Sequence, residues 1–484
     1  MELIEKSLIE KQGSRIGICV QGGRRKLAVV CAGEKPEFVS RLQGAESEET
    51  VTLNGEEQTC SVYGLIHANA ELVRELLPQT APSVLGTRPA FGCGDRLGLA
   101  GPAHIRASAA HKTTPILAQQ SIRELTRTER TAEEVMDAAT WAVLEEGYRD
   151  PWGADADHLK SEEDIRLTAD AGFTMFTIDP GDHVGSADSD ASSEKGFADI
   201  LDRCRTAVSV SDSVTGYEFE LKISEDEVRA GLGKYLRAVN FVEEMYGAAA
   251  GIVEGEFDFE VSVDETDDPT SVAEHYIVAS ELRERGINFT GLALRFIGEF
   301  EKGIDYKGDI SAFTETLKKH AAIARQLGGY KLSIHSGSDK FSIYPVFSEC
   351  APGLAHAKTA GTSYLEAIRN ISICAPDFFR EIFSFALGRY EEDKATYHVS
   401  ADLAAIPALG DLGDKELPVL LDNDNSRQVL HVSFGSVLCT RREDGAYLFR
   451  DRIYETLEEN RELHLGTVQK HIEKHLSGLD RSLK

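Results

Sequence analysis

Acids and imidazoles recur at the ends of short apolar runs in this chain, a pattern suited to metal-assisted and acid–base chemistry. WGADADHLKSEED sets Asp157 beside His158, and Ser161 with Asp164 offers a helix N-cap just after them. The pair therefore stands where a strand hands over to a helix. KLSIHS ends with a second imidazole, His335, before the polar loop SGSDKF. LALRF runs on into IGEFEKGIDY; if side-chain alternation persists, Arg295 and Glu299 face the same way. Glu299 would then be an oxygen ligand beside His158 and His335, with Glu301 and Asp305 competing for the role. Two imidazoles and one carboxylate with open positions suit a divalent Zn, Mn, Fe, Co or Ni ion and not a closed structural site. A lone histidine in a loop usually has no such role, so the expectation rests on there being two.

Positioning such groups takes strands whose ends meet. From about residue 83, short apolar runs alternate with amphipathic stretches. The strand candidates are 83–91, 114–120, 152–157, 173–179, 257–264, 292–296, 331–336, and either TYHVSA (396–401) or VLHVSF (429–434). Helices are expected over 132–148, 271–286 and 310–329, the last two ending at glycine. This order predicts parallel βαβ units closed into a TIM-type (β/α)8 barrel spanning 83–484. Residues 1–82, with RIGICV and KLAVVCA joined by QGGRR, predict a small β-containing N-terminal module. In FDFEVSVD, Phe257, Phe259, Val261 and Val263 share one face, while Asp258, Glu260, Ser262 and Asp264 share the other. In a barrel the polar face points inward, where charge must be paired or metal-bound. The bland alternative is a solvated antiparallel strand.

The 484 residues carry a formal charge of −29, which argues against a nucleic-acid partner. No apolar run is long enough for a membrane span, and MELIEKSLIEK has no apolar signal core. Eight dispersed cysteines without a CxxC pair fit reduced thiols, so a cytoplasmic setting is expected. An anionic substrate would need a locally cationic pocket against that global field. The glycine-rich GTRPAFGCGDRLGLAGPAH could cradle an anion, with Arg88 and Arg96 as paired donors, although structural turns explain the glycines equally well.

The chain resembles the tagaturonate epimerase family. The resemblance is carried by GCGDRLGLAGPAH, WGADADHLKSEED, FTMFTIDP, EVSVDETDDPTS, RFIGEFEKGIDYKGD, GYKLSIHSGSDKFSIYP and RQVLHVSFGSVL. It departs from the family pattern at Ala100 and Ala103. The resemblance implies a divalent-metal enzyme that interconverts the sugar acids tagaturonate and fructuronate, with His158 and His335 as metal ligands and Asp157 as proton acceptor. An acid of EVSVDE would be the proton donor: Glu260 first, then Asp264 or Glu265. Arg88, Arg295, Lys331 and Lys340 are candidates to neutralise the substrate carboxylate. The inverted carbon is next to neither carbonyl, so its C–H is not acidified, and a retro-aldol route is expected instead. An aldolase or ketohexose 4-epimerase on the same barrel, or a non-catalytic sugar-acid binder, are the competing readings.

Overall fold

The computed structural model describes residues 1–481. Eight parallel strands close into a barrel: β1 Ala90–Cys93, β2 Thr114–Ser121, β3 Gly153–Leu159, β4 Met175–Ile178, β5 Asp258–Val263, β6 Gly291–Leu294, β7 Lys331–Ile334 and β8 Ala355–Thr359. Each pairs with its sequence neighbour, and β8 pairs with β1 to finish the ring. The outward faces are apolar and pack on the helices: Phe259, Val261, Leu292, Leu332 and Ala357 are fully buried there. The inward faces are not. Asp155, Asp258, Glu260, Lys331, Ser333 and Lys358 fill the barrel, all nearly inaccessible to water. The alternation in FDFEVSVD and KLSIHS is thus a helix-facing stripe opposed to a polar interior.

The expected helices form over Ala132–Glu146, Val272–Glu284 and Ile310–Gln326. The first two start with capping boxes, Thr131 with Glu134 and Ser271 with Glu274. In place of the two or three expected N-terminal runs, six strands between Glu2 and Tyr63 build an antiparallel sheet. SVYGLIHA divides into the end of strand Glu56–Tyr63 and the start of helix His67–Leu76, which packs on Ala132–Glu146.

The eighth strand differs from expectation. VLHVSF spans the end of one helix, Asp424–Val432, capped by Asn423, and the start of the next, Phe434–Cys439. TYHVSA is irregular chain across the barrel mouth. The strand that closes the barrel is AHAKT, whose small alanines give little hydrophobic signal. Helices after it gather a second apolar core around Phe379, Phe383, Leu420 and Leu430. The last helix, Arg461–Leu479, returns to pack on helices Gly101–Ser108 and Thr362–Cys374. Among the described residues no helix is long and apolar enough to cross a membrane.

The N-terminal sheet is pressed onto the barrel at one checkable point. Gly147 ends helix Ala132–Glu146 in the left-handed region at φ +61°, and a Cβ there would lie 2.1 Å from the Lys6 carbonyl oxygen. Gly147→Ala is therefore expected to cost about 2 kcal/mol or more, from the left-handed conformation plus the displaced backbone. Chemical denaturation reads this directly, and an unchanged midpoint would contradict the contact.

Candidate active site

The groups that matter lie where β3, β4, β5, β7 and β8 end. Along β3, Asp155 and Asp157 point inward as alternation requires. His158 follows Asp157 inward because the strand bulges. Ala156 pairs with Phe176 and Leu159 with Ile178, so two residues of β3 oppose one of β4. His158 takes φ +54° to do so. The bulge therefore delivers two consecutive side chains, Asp157 and His158, to the mouth. His335 arrives just past β7, and its ring stands edge-on to His158 with centroids 5.0 Å apart.

Beneath them Lys358, on β8, sits at the centre of an acid cluster. Its ammonium lies 2.8 Å from Asp155, 3.0 Å from Asp157, 2.8 Å from Glu260 and 2.7 Å from the Thr177 hydroxyl. Burial opposes its charge, but the three carboxylates outweigh that and push its pKa up. Burial would likewise raise Asp157, yet Lys358 and the two imidazoles hold its carboxyl below the usual range. Burial raises the pKa of Asp155, with Lys358 offsetting part of the effect. His158 is only half-buried; desolvation works against its charge, but Asp157 and Asp179 draw its pKa up to about 9. Such a site favours positive charge.

The residues present fit a divalent cation. Asp157, His158 and His335 each offer a ligand atom, all within 4.8 Å of one another. The far nitrogens of both rings face carboxylates: His158 Nδ1 is 3.4 Å from Asp179, and His335 Nε2 donates to Glu260 at 2.7 Å. His158 Nε2 lies 3.9 Å from Asp157, and His335 Nδ1 lies 3.3 Å from the Ser262 hydroxyl and 3.5 Å from Asp264, so carboxylates flank both rings, as they do where imidazoles are oriented for a metal. A second group, Asp339 with His471 and His475, is already internally bonded. His475 accepts from the Asp339 backbone N–H and donates to the His471 carbonyl, while Arg427 holds Asp339 at 2.6 Å. It ties the last helix to the loop after β7.

The remaining sequence candidates are dispersed. Glu299 does not join the imidazoles; half exposed, it accepts from His398 at 2.7 Å and lies 3.5 Å from Arg295. Its competitors are also committed, Glu301 to Ser400 and Gln428, and Asp305 to Ser342. The carboxylates beside the imidazoles are Asp157 and, 3.5 Å from His335 Nδ1, Asp264. Glu260 is fully buried, and its oxygens are taken by Lys358, His335 and Ser333, so it does not face the pocket as a proton donor. Asp264 and Glu265 do line the pocket. Arg88 precedes β1 and is exposed at the amino-terminal rim, opposite the mouth. Lys331 opens β7 and is buried in the barrel floor near Asp258. The Lys340 ammonium is enclosed by the carbonyls of Glu301, Ile304 and Ser338. Arg295 lines the pocket, bonded to the carbonyls of Phe296 and Gly298. Arg96 is buried against Glu124 and Phe434, and the amides of the glycine-rich loop turn onto Asp95 at Gly98 and Ala100. That loop therefore cradles its own carboxylate. Lys358 was the missed residue: nothing in AHAKT marks it, and the only available signal was that inward acids on β3 and β5 require a buried counter-charge.

Two cavities of about 470 and 250 Å³ open on either side of the imidazoles. His158, His335, Arg123, Glu265, Lys302 and Tyr397 border both, forming a seam between two lobes of one cleft. Because Lys358 is the shared counter-charge of the acids below this seam, Lys358→Met would leave buried carboxylates unpaired. A loss of about 3–5 kcal/mol of stability is expected, measurable by denaturant unfolding. A variant as stable as the parent would show the cluster to be protonated instead.

A family model described as UxaE, tagaturonate epimerase, matches residues 4–479. The tagaturonate/fructuronate epimerase of Thermotoga maritima is 44% identical, over 99% of this chain and 97% of that protein. The native crystal structure of fructuronate-tagaturonate epimerase UxaE from Cohnella laeviribosi superposes with a TM-score of 0.89, at 36% identity, covering 99% of this chain and 96% of that one. Its form with two glycerols gives 0.90 at the same identity and coverage. With a barrel, a cleft and a sequence match that all run the length of the chain, this protein belongs to the tagaturonate epimerase family.

Proposed function

We propose that this chain interconverts tagaturonate and fructuronate with a divalent metal held by His158 and His335 beside Asp157. The observation that carries the reading is the meeting of these three side chains at the mouth of a barrel whose family acts on these sugar acids. A metal bound there supplies Lewis acidity to the substrate's oxygens. Asp157, held ionised by Lys358, takes the proton of the hydroxyl on the carbon to be inverted. The neighbouring C–C bond then breaks, and its electron pair stays with the ketone half. The aldehyde half turns, the bond re-forms on the opposite face, and the new alkoxide lies on the far side from Asp157. Glu265, on the seam and lining both lobes, is the acid placed to protonate it. Glu260 orients His335 from below. The two lobes give the three-carbon halves separate places, and the loop bearing Tyr397 and His398 borders the cleft against water.

The testing experiment assays the purified protein on tagaturonate before and after chelation, with several divalent metals restored. Activity should vanish on chelation and return with metal; chelator-resistant turnover would remove the metal from the reading. Asp157→Asn should lower kcat by roughly 100- to 10,000-fold, the usual span for losing a general base. In heavy water, the inverted carbon should acquire no deuterium; incorporation there would indicate carbanion chemistry at that carbon in place of bond cleavage.

A further inference from the structure

Among the described residues, the cleft contains one cation without a carboxylate in ion-pair range. Arg295 lies 3.5 Å from Glu299, Lys160 3.0 Å from Asp182 and Arg123 3.9 Å from Glu265. Lys302 has no carboxylate in ion-pair range among the described residues; its ammonium donates only to the Ser336 hydroxyl, at 2.8 Å. It is half-buried and borders both lobes. In a chain of net charge −29, a partly desolvated ammonium left without a counter-ion is a place for an anion from outside.

The backbone presents this ammonium rigidly. The Lys340 ammonium binds the carbonyls of Glu301 and Ile304 on either side of Lys302, at 2.8 and 2.5 Å. Arg427 binds the Gly303 carbonyl at 2.8 Å. Two buried cations thus fasten the loop, and Ser336, which aims Lys302, directly follows His335 in the chain. The distance from Lys302 to the imidazole pair is therefore set by short, fixed connections.

We propose that Lys302 anchors the substrate carboxylate, and that the carboxylate stays on it through the inversion. The inference rests on the epimerase reading above. Cleavage sends the hydroxyl proton to Asp157 and the bonding electrons to the ketone half, leaving an aldehyde on a three-carbon acid. That fragment must present its other face without escaping. Pinning its carboxylate allows the aldehyde end to swing about the intervening bonds while the acid end stays bound. Lys302 thereby selects sugar acids over the corresponding uncharged ketoses and retains the fragment.

The test compares wild-type holoenzyme with Lys302→Gln and Lys302→Arg on tagaturonate and on tagatose, its uncharged counterpart. Lys302→Gln should raise KM for tagaturonate by roughly 30- to 100-fold, as expected for loss of a charge-assisted hydrogen bond. The same variant should leave kcat/KM for tagatose within about twofold and release more three-carbon acid per turnover. Lys302→Arg should recover part of the KM. Equal losses on both substrates, or no loss on either, would overturn the assignment. Competition by gluconate and sorbitol reads the anchor even if tagatose is not turned over: only gluconate should weaken in Lys302→Gln, and equal weakening counts against Lys302. If the wild type does not turn over tagaturonate, the epimerase reading fails by itself, while displacement of a dye or metal-bound probe by gluconate still decides Lys302.

Discussion

One buried ammonium makes this site possible. Three carboxylates, Asp155, Asp157 and Glu260, project into the interior of a closed barrel, where an unpaired ionised acid would be driven to protonate. Lys358 lies within 3.0 Å of all three. Its charge keeps Asp157 available as an ion at the mouth and Glu260 available as an acceptor for His335. The catalytic layer therefore stands on an ionic layer in which one ammonium serves three carboxylates, and the surplus negative charge lies beneath the imidazoles. A barrel filled with valines and leucines would be easier to stabilise, but it could not hold two imidazoles and an acid in fixed orientation.

Geometry at the mouth comes from a departure from regular strand structure. Perfect alternation would turn His158 outward among the helices once Asp157 points in. The two-for-one pairing with β4, and the left-handed backbone at His158, bring both side chains to one place. Strained conformations of this kind persist where surrounding structure over-determines them. Here Asp179 behind His158 and Lys358 behind Asp157 provide that support.

Outside the barrel, charged residues act as fasteners more than as contacts for substrate. Lys340 and Arg427 hold the loop that carries Lys302, and Arg427 also holds Asp339, which His471 and His475 join from the last helix. The C-terminal helices are thereby linked to the loops after β6 and β7. This gives a physical use to more than a hundred residues beyond the last barrel strand. They set the positions of the loops that border the cleft.

How much of this was legible beforehand follows from the range of each interaction. Alternation in FDFEVSVD and KLSIHS, glycine-ended helices and the adjacency of Asp157 to His158 are local patterns. They were enough for the barrel class, the polar interior and a pair of imidazoles at strand ends, with the family resemblance supplying the roles. The eighth strand was not legible, because the alanines of AHAKT give little hydrophobic signal and its strand character comes from hydrogen bonds to β7 and β1 on both sides. Nor could spacing separate cations that meet ligands from cations that bind carbonyls. Lys331 and Lys340 look as eligible as Lys302 in the sequence, and burial against Asp258 or three backbone oxygens removes them. Glu299 and Glu260 prove to be committed, to His398 and to Lys358, His335 and Ser333, while Asp157 and Glu265 border the cleft, for the same reason: which carboxylate remains open depends on partners far away in the chain. The linear sequence determined which residues could carry charge into a barrel and along which face. Only the closed tertiary structure decided which of those charges neutralise one another and which remain for a substrate, because Coulombic pairing depends on distances that chain order does not contain.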